Sequence, residues 1–102
     1  MKSGIIGPTE KWEQNKDKIS EIAYLVAESN GEIFITPDKG SSSEFFAQEY
    51  IRNSGKKVNE ILPLDDEEMG YSWVNMDLGE HINCGTWRNQ PEKLNEETEM
   101  LI

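Results

Sequence analysis

The block Phe34-Ile35-Thr36-Pro37-Asp38-Lys39-Gly40-Ser41-Ser42-Ser43-Glu44-Phe45-Phe46-Ala47 constrains this chain more than any other. A short β-rich run ends, a turn containing glycine follows, and a helix opens with three hydroxyl side chains and a glutamate. Ser41 and Glu44 have capping-box spacing: the serine oxygen takes a backbone N–H, and the glutamate reaches back to the cap. A helix start offers free N–H groups and the positive end of the helix dipole, so it suits a phosphate or a carboxylate. The same block also reads as a well-capped helix that holds no ligand.

Around this block the pattern alternates. Gly4-Ile5-Ile6-Gly7 predicts a first buried strand, ended by Gly7-Pro8, with Thr9 placed to cap a helix. Ile19, Ile22, Ala23 and Val26 fall at i, i+3, i+4 and i+7, one helical stripe, and Asn30-Gly31 stops that helix. Glu32 to Thr36 predicts the second strand. Ser41 to Asn53 predicts the second helix, with Phe46, Ala47, Tyr50 and Ile51 as its apolar face. Val58 to Leu62 predicts the third strand, closed by Pro63. A βαβαβ order of this kind argues for a parallel sheet with right-handed crossovers.

The rest is less regular. Asp65 to Gly70 is an acidic loop, most simply a solvated one. Tyr71 to Trp87 shows no clear period, and Gly79 and Gly85 interrupt it. Pro91 to Glu99 predicts a third helix with Leu94 and Met100 on its apolar side. Met100-Leu101-Ile102 predicts the start of a parallel strand beside the first. The expectation is one domain over residues 1–102, α/β, with an open Rossmann-like parallel sheet and helices on both faces, ending short of a full-length domain.

Charge narrows the function classes. The chain of 102 residues carries 20 acidic and 10 basic residues, a formal charge of −10. Residues 1–57 are nearly balanced, whereas from Val58 onward the only bases are Arg88 and Lys93. Nucleic-acid binding needs clustered Lys and Arg, so neither nucleic acid nor an anionic membrane surface is an expected partner. Cys84 is the one cysteine, which permits no internal disulfide and fits a cytoplasmic location. No signal peptide, no metal centre and no resident cofactor are expected. Cys84 and His81 lie three apart, with Glu80 beside them, a spacing open to a nucleophile and its base. The simpler reading of a lone cysteine is a small buried hydrophobe.

The order of these elements resembles the Rossmann-like superfamily of lysine decarboxylase-like, cytokinin-activating phosphoribohydrolases and DNA-processing protein A domains. The residues that carry the resemblance are Ile5-Ile6-Gly7-Pro8-Thr9, Lys39-Gly40-Ser41-Ser42-Ser43, Asn53-Ser54-Gly55 followed by Ile61-Leu62-Pro63, and Thr86-Trp87-Arg88-Asn89 followed by Glu99-Met100-Leu101-Ile102. The family's phosphate loop is richer in glycine. Its proline–glycine–glycine–x–glycine–threonine segment, with the catalytic glutamate just beyond, does not occur in this sequence. The resemblance therefore implies a nucleotide or nucleotide-derived phosphate binder without complete catalytic machinery. It also implies a homodimer, since relatives of this kind pair through their helices.

In an open α/β sheet, ligands bind past the carboxyl ends of the strands. The candidate ligand contacts are Gly7, Thr9, Lys39, Gly40, Ser41, Ser42, Ser43 and Arg88; no catalytic residue is assigned. Gly7 lets a ligand approach the backbone, Lys39 supplies charge, and Arg88 adds a bidentate contact if it folds over the site. Thr9 also reads as a plain helix cap and Arg88 as a partner of the acidic tail. Trp73 and Trp87 read either as core aromatics or as platforms for a base. Two other functions remain open: a nucleoside-monophosphate phosphoribohydrolase completed by another chain or by further residues, and an acidic protein-interaction module.

Overall fold

The computed structural model describes residues 1–6, 11–66 and 73–101. Gly7, Pro8, Thr9, the Glu67–Gly70 part of the acidic loop, Tyr71 and Ile102 lie outside the described residues. Strands β1 (Lys2–Ile5), β2 (Glu32–Ile35), β3 (Lys57–Leu62), β4 (Glu80–Asn83) and β5 (Met100–Leu101) alternate with helices α1 (Lys16–Glu28), α2 (Ser42–Arg52) and α3 (Gln90–Glu97). The sheet order is β4-β3-β2-β1-β5. Every pairing is parallel: Lys2 to Ile5 run beside Glu32 to Ile35, Glu32 to Ile35 beside Lys57 to Glu60, and Asn59 to Leu62 beside Glu80 to Asn83. On the other side of β1, Ser3 and Gly4 pair with Met100 and Leu101. The expected parallel strand beside the first is therefore present. The chain steps outward from β1 to β4 and then returns across β1, so the order reverses between β1 and β5.

Alternation along the strands divides the core between the two faces. Ile5, Ile33, Ile35 and Val58 pack with Ala23, Ala27, Phe46, Ala47 and Tyr50 of α1 and α2. Phe34 and Ile61 face the other way and pack with Cys84 and with Leu94 of α3. Helices thus cover both faces, as parallel strands require.

Several expected boundaries move. The first strand begins at Lys2 and ends at Ile5, two residues earlier than Gly4–Gly7, because its register follows β2 and leaves Ile6 exposed. The third strand starts at Lys57. The buried stripe of α1 is Ala23 and Ala27 with Ile19 and Val26 at its flanks; Ile22 is 40% exposed. Ile51, placed on the apolar face of α2, is 45% exposed, and Glu49 is buried there instead. It accepts from Ser20 Oγ of α1 at 2.7 Å and from Arg52. The Ser20 hydroxyl, with help from Arg52, holds the Glu49 carboxyl below its ordinary range despite desolvation.

Two polar residues sit side by side in the middle of β3. Asn59 is buried and donates to the Ile33 carbonyl at 3.1 Å. Glu60 is fully buried, and its Oε1 accepts the N–H groups of Leu78 at 2.8 Å and Gly79 at 2.9 Å. Glu60 thereby fastens the segment that leads into β4. Among the described residues, no helix is long and apolar enough to cross a membrane.

Candidate functional site

Parallel strands put all their carboxyl ends on one edge, where the loops after β1 and β2 meet the starts of α2 and α3. Trp12 joins two of these loops. Its indole N–H donates to the Gly40 carbonyl at 3.0 Å, and its ring lies 5.2 Å from that of Phe45. The Lys16 ammonium sits over both rings. Ser43 Oγ reaches the Ile5 carbonyl at 3.5 Å, a second link from α2 to the end of β1.

The turn before α2 is tightly organised. Gly40 has φ of +77°, the left-handed region in which a side chain is strained, and the space around it is open. Ser41 caps the helix: its Oγ accepts from the Glu44 N–H at 3.2 Å and donates to the Asp38 carbonyl at 2.6 Å. Glu44 Oε1 accepts from the Gly40 N–H at 2.9 Å, and Oε2 from Asn75 Nδ2 at 3.1 Å. Ser41, Ser42 and Ser43 are all buried. The Ser41 and Ser43 hydroxyls are thus spent on the protein's own backbone, and they shape the loop from within.

The segment after residue 72 docks onto this turn. Asp38 and Val74 form an antiparallel bridge, the Lys39 N–H donates to the Trp73 carbonyl at 2.8 Å, and the Asn75 N–H donates to the Pro37 carbonyl at 2.8 Å. Together they frame an open cleft of about 470 Å³ lined by Asp38, Lys39, Trp73 and Trp87. Trp73 is 71% exposed although its backbone is fixed. Trp87 is half-buried and packs against the Leu62 and Val74 cluster. Burial pushes the Asp38 carboxyl above its ordinary range. A second cavity of about 300 Å³ opens beside the end of β1, lined by Ile5, Ile6 and Thr36 and by the first turns of α3.

Of the residues expected at a site, Lys39, Gly40, Ser41, Ser42 and Ser43 meet at the turn before α2 and in its first turn; Gly7 and Thr9 lie outside the described residues. Arg88 is exposed, directly after Trp87 in the turn that leads into α3. Among the described residues it has no ion pair, whereas Lys93 is held by Glu97 at 3.0 Å. Trp12 and Asn75, which tie the loops together, carry no local signal in the sequence.

The Cys84, His81 and Glu80 spacing does not assemble a nucleophile and base. Residues 80–83 form a strand on which His81 is exposed, whereas Cys84, just past its end, is buried. Cys84 is buried in the α3 face, donates weakly to the Thr86 carbonyl, and has its thiol pushed up by desolvation. His81 Nε2 lies 2.8 Å from the Met76 carbonyl. Among the described residues, no group of three or more His, Cys, Asp or Glu side chains is arranged to hold a metal ion.

No family model and no curated protein matches the chain. Its fold is nevertheless shared by solved structures. TM1055, a structural-genomics target, superposes with a TM-score of 0.70 at 20% identity over 98% of this chain and 58% of its own. The Moco carrier protein from Chlamydomonas reinhardtii gives a TM-score of 0.64 at 12% identity over 85% of this chain and 51% of its own. The fold is Rossmann-like. This chain spans just over half the length of either structure.

Proposed function

We propose that this chain binds a small phosphorylated ligand, a nucleotide or nucleotide-derived phosphate, at the carboxyl edge of its sheet. The observation that carries the reading is the cleft of Asp38, Lys39, Trp73 and Trp87 beside the turn into α2. Lys39 and Arg88 are exposed cations without ion pairs among the described residues, on a chain whose formal charge is −10. They offset a field that otherwise repels anions. The first-turn N–H groups and dipole of α2 add to them, with Gly40, Ser41, Ser42 and Ser43 setting the loop's shape. Gly7 and Thr9 belong to the same reading through the loop after β1. A fold neighbour that is a Moco carrier protein is consistent with binding without turnover.

A thermal-shift screen against nucleoside monophosphates and sugar phosphates tests the reading. A ligand that binds only the folded state at a hundred times its Kd adds about 2.7 kcal/mol of stability. Lys39→Glu, at an exposed position, is expected to abolish the shift by like-charge repulsion. If no phosphate raises Tm, the reading fails.

We further propose that the chain works as a homodimer, in the reducing cytoplasm that a free Cys84 fits. Ile22, Leu25 and Ile51 are exposed on α1 and α2. Light scattering at micromolar concentration is expected to report twice the chain mass; a monomer at every concentration sinks the dimer without touching the ligand site.

A further inference from the structure

Glu60 Oε2 is buried and has no hydrogen-bond partner among the described residues. A polar atom withheld from water and left unpaired costs free energy that its hydration would recover. The other oxygen, Oε1, holds the N–H groups of Leu78 and Gly79. These two residues end a strap, residues 73–79, that runs from the turn into α2 to the start of β4. The far end of the strap is bonded to that turn: Trp73 to Lys39, and Asn75 to Pro37 and Glu44. Its near end is held by titratable side chains, Glu60 on Leu78 and Gly79, and His81 with Nε2 beside the Met76 carbonyl. Gly79 lies so close to β3 that a Cβ there would run into the Val58 carbonyl, and Leu78 is only partly buried against the core. The near end is thus closely seated with little apolar burial, the make-up of a segment that opens locally.

The charge on Glu60 decides whether this seating is favourable. Its cross-strand neighbours are Ile35 on β2 and His81 on β4. Phe46, Ala47 and Tyr50 of α2 pack on the same face of the sheet, with the Tyr50 hydroxyl bonded to Gly31 and Lys57. Glu44, at the start of α2, is bonded to Gly40 and Asn75. Asp77, in the strap itself, disfavours the Glu60 carboxylate, and positive charge on His81 favours it. Among the described residues neither Glu60 oxygen has a cation partner. Burial outweighs the two N–H groups, so seating favours the neutral carboxyl. Opening at Leu78 and Gly79 admits water to both oxygens. We infer that Glu60 is a proton-operated latch: neutral, it keeps the strap seated on β3, and ionised, it releases residues 76–79 together with the cleft wall at residues 73–75. The latch is complete below the ordinary value of 4.5 and weakens as pH climbs through the seated value. It operates whatever the cleft binds.

Amide hydrogen exchange of the full chain, followed by NMR from about pH 4 to about pH 8, tests the latch, with each rate divided by its intrinsic rate at that pH. Protection of Leu78 and Gly79 is expected to fall about tenfold per pH unit above 4.5 and then to level off. The Lys39 and Asn75 amides, which bond the Trp73 and Pro37 carbonyls, should follow the same curve. Phe34, buried in the central strand, should stay at least about tenfold better protected throughout. Glu60→Gln, which keeps an acceptor for both N–H groups, should flatten the curve at all four amides, whereas His81→Gln should only displace it. Titration of the Glu60 carboxyl by its carbon chemical shift in the unaltered chain should give the same midpoint without any variant. The latch is overturned if Leu78 and Gly79 exchange no faster than Phe34, because opening is then global. It is equally overturned if the curve persists in Glu60→Gln, if His81→Gln abolishes it, or if the carboxyl midpoint departs from it. Lys39 and Asn75 amides that keep their protection while Leu78 loses its own overturn the release of the cleft wall.

Discussion

Glu44 Oε1 accepts the N–H of Gly40 at 2.9 Å, one residue upstream of the Ser41 cap that its spacing predicts. The shift follows from the turn. The Ser41 N–H is already taken by the Asp38 carbonyl at 3.2 Å, so the nearest open donor is that of Gly40. The second carboxylate oxygen holds Asn75 and ties the segment after Trp73 to the helix start. Glu44→Ala is therefore expected to cost more than a simple cap, about 1.5–3 kcal/mol, against about 1 kcal/mol for Ser41→Ala. Urea denaturation of both single variants and the double variant checks this. The two losses should not add, because Ser41 and Glu44 belong to one network.

Gly55 and Gly40 are glycines for different reasons, and the same substitution separates them. A Cβ on Gly55 would lie 2.3 Å from the Tyr50 ring. That ring cannot yield: Tyr50 is fully buried, its hydroxyl donates to the Gly31 carbonyl, and it accepts the Lys57 N–H at 2.9 Å. Gly55→Ala is expected to destabilise by about 1–3 kcal/mol through overpacking. Tyr50→Phe orphans the Gly31 and Lys57 groups at a similar cost. Tyr50→Phe combined with Gly55→Ala should still suffer the clash, since the ring remains. Gly40→Ala meets no atom within 4 Å and pays only for its positive φ, about 1–2 kcal/mol. Chemical denaturation of the four variants reads all of these.

Glu60 makes stability fall as pH rises. Burial pushes its carboxyl above the ordinary value of 4.5, the N–H groups of Gly79 and Leu78 oppose the shift, and Oε2 has no partner among the described residues. A raised value means that the folded chain keeps a proton the unfolded chain has lost. Stability contributed by Glu60 is therefore complete below pH 4.5 and declines as pH climbs through the folded value. Asp38 acts in the same direction and Glu49 in the opposite one. Glu60→Gln keeps the acceptor for Leu78 and Gly79 and removes the titration. The slope of unfolding free energy against pH should flatten in that variant by the Glu60 share; an unchanged slope shows that Glu60 titrates normally.

The sheet was readable because each of β1, β2 and β3 is a short apolar run bounded by turn residues, and each intervening helix shows its own stripe. The strand β4 was not. Of Glu80, His81, Ile82 and Asn83 only Ile82 is apolar, as befits an edge strand that must not invite further pairing. Its place is decided by β3, through contacts about twenty residues away in sequence. The turn into α2 was equally legible, since Ser41 and Glu44 are local partners. What was hidden is everything that turns the helix start into a cleft. Trp12 finds Gly40 across 28 residues, and Asn75 finds Glu44 across 31. Local pattern also carries no information on burial: Ser41 to Ser43 read as ligand hydroxyls, and in the fold all three are buried, with the Ser41 and Ser43 hydroxyls bonded to the protein's own backbone.

Nucleoside monophosphates incubated with this chain are expected to release no free base. Cleaving an N-glycosidic bond needs a carboxylate that stabilises the developing sugar cation and positions water, and such groups contribute orders of magnitude to the rate. Two acids lie near the turn into α2. Glu44 is held on both oxygens by Gly40 and Asn75, so it has no oxygen to spare for a substrate. Asp38 lines the cleft, but it stands before the turn into α2 in a turn-forming position, with its backbone N–H and carbonyl both used in that turn. Chromatographic assay for adenine, guanine, cytosine and uracil after prolonged incubation of the pure protein checks the expectation. Base release that survives in Asp38→Asn and Glu44→Gln would point to a contaminant. Release that disappears in either variant would show that the carboxylate is catalytic after all, and that the chain is a hydrolase rather than a binding domain.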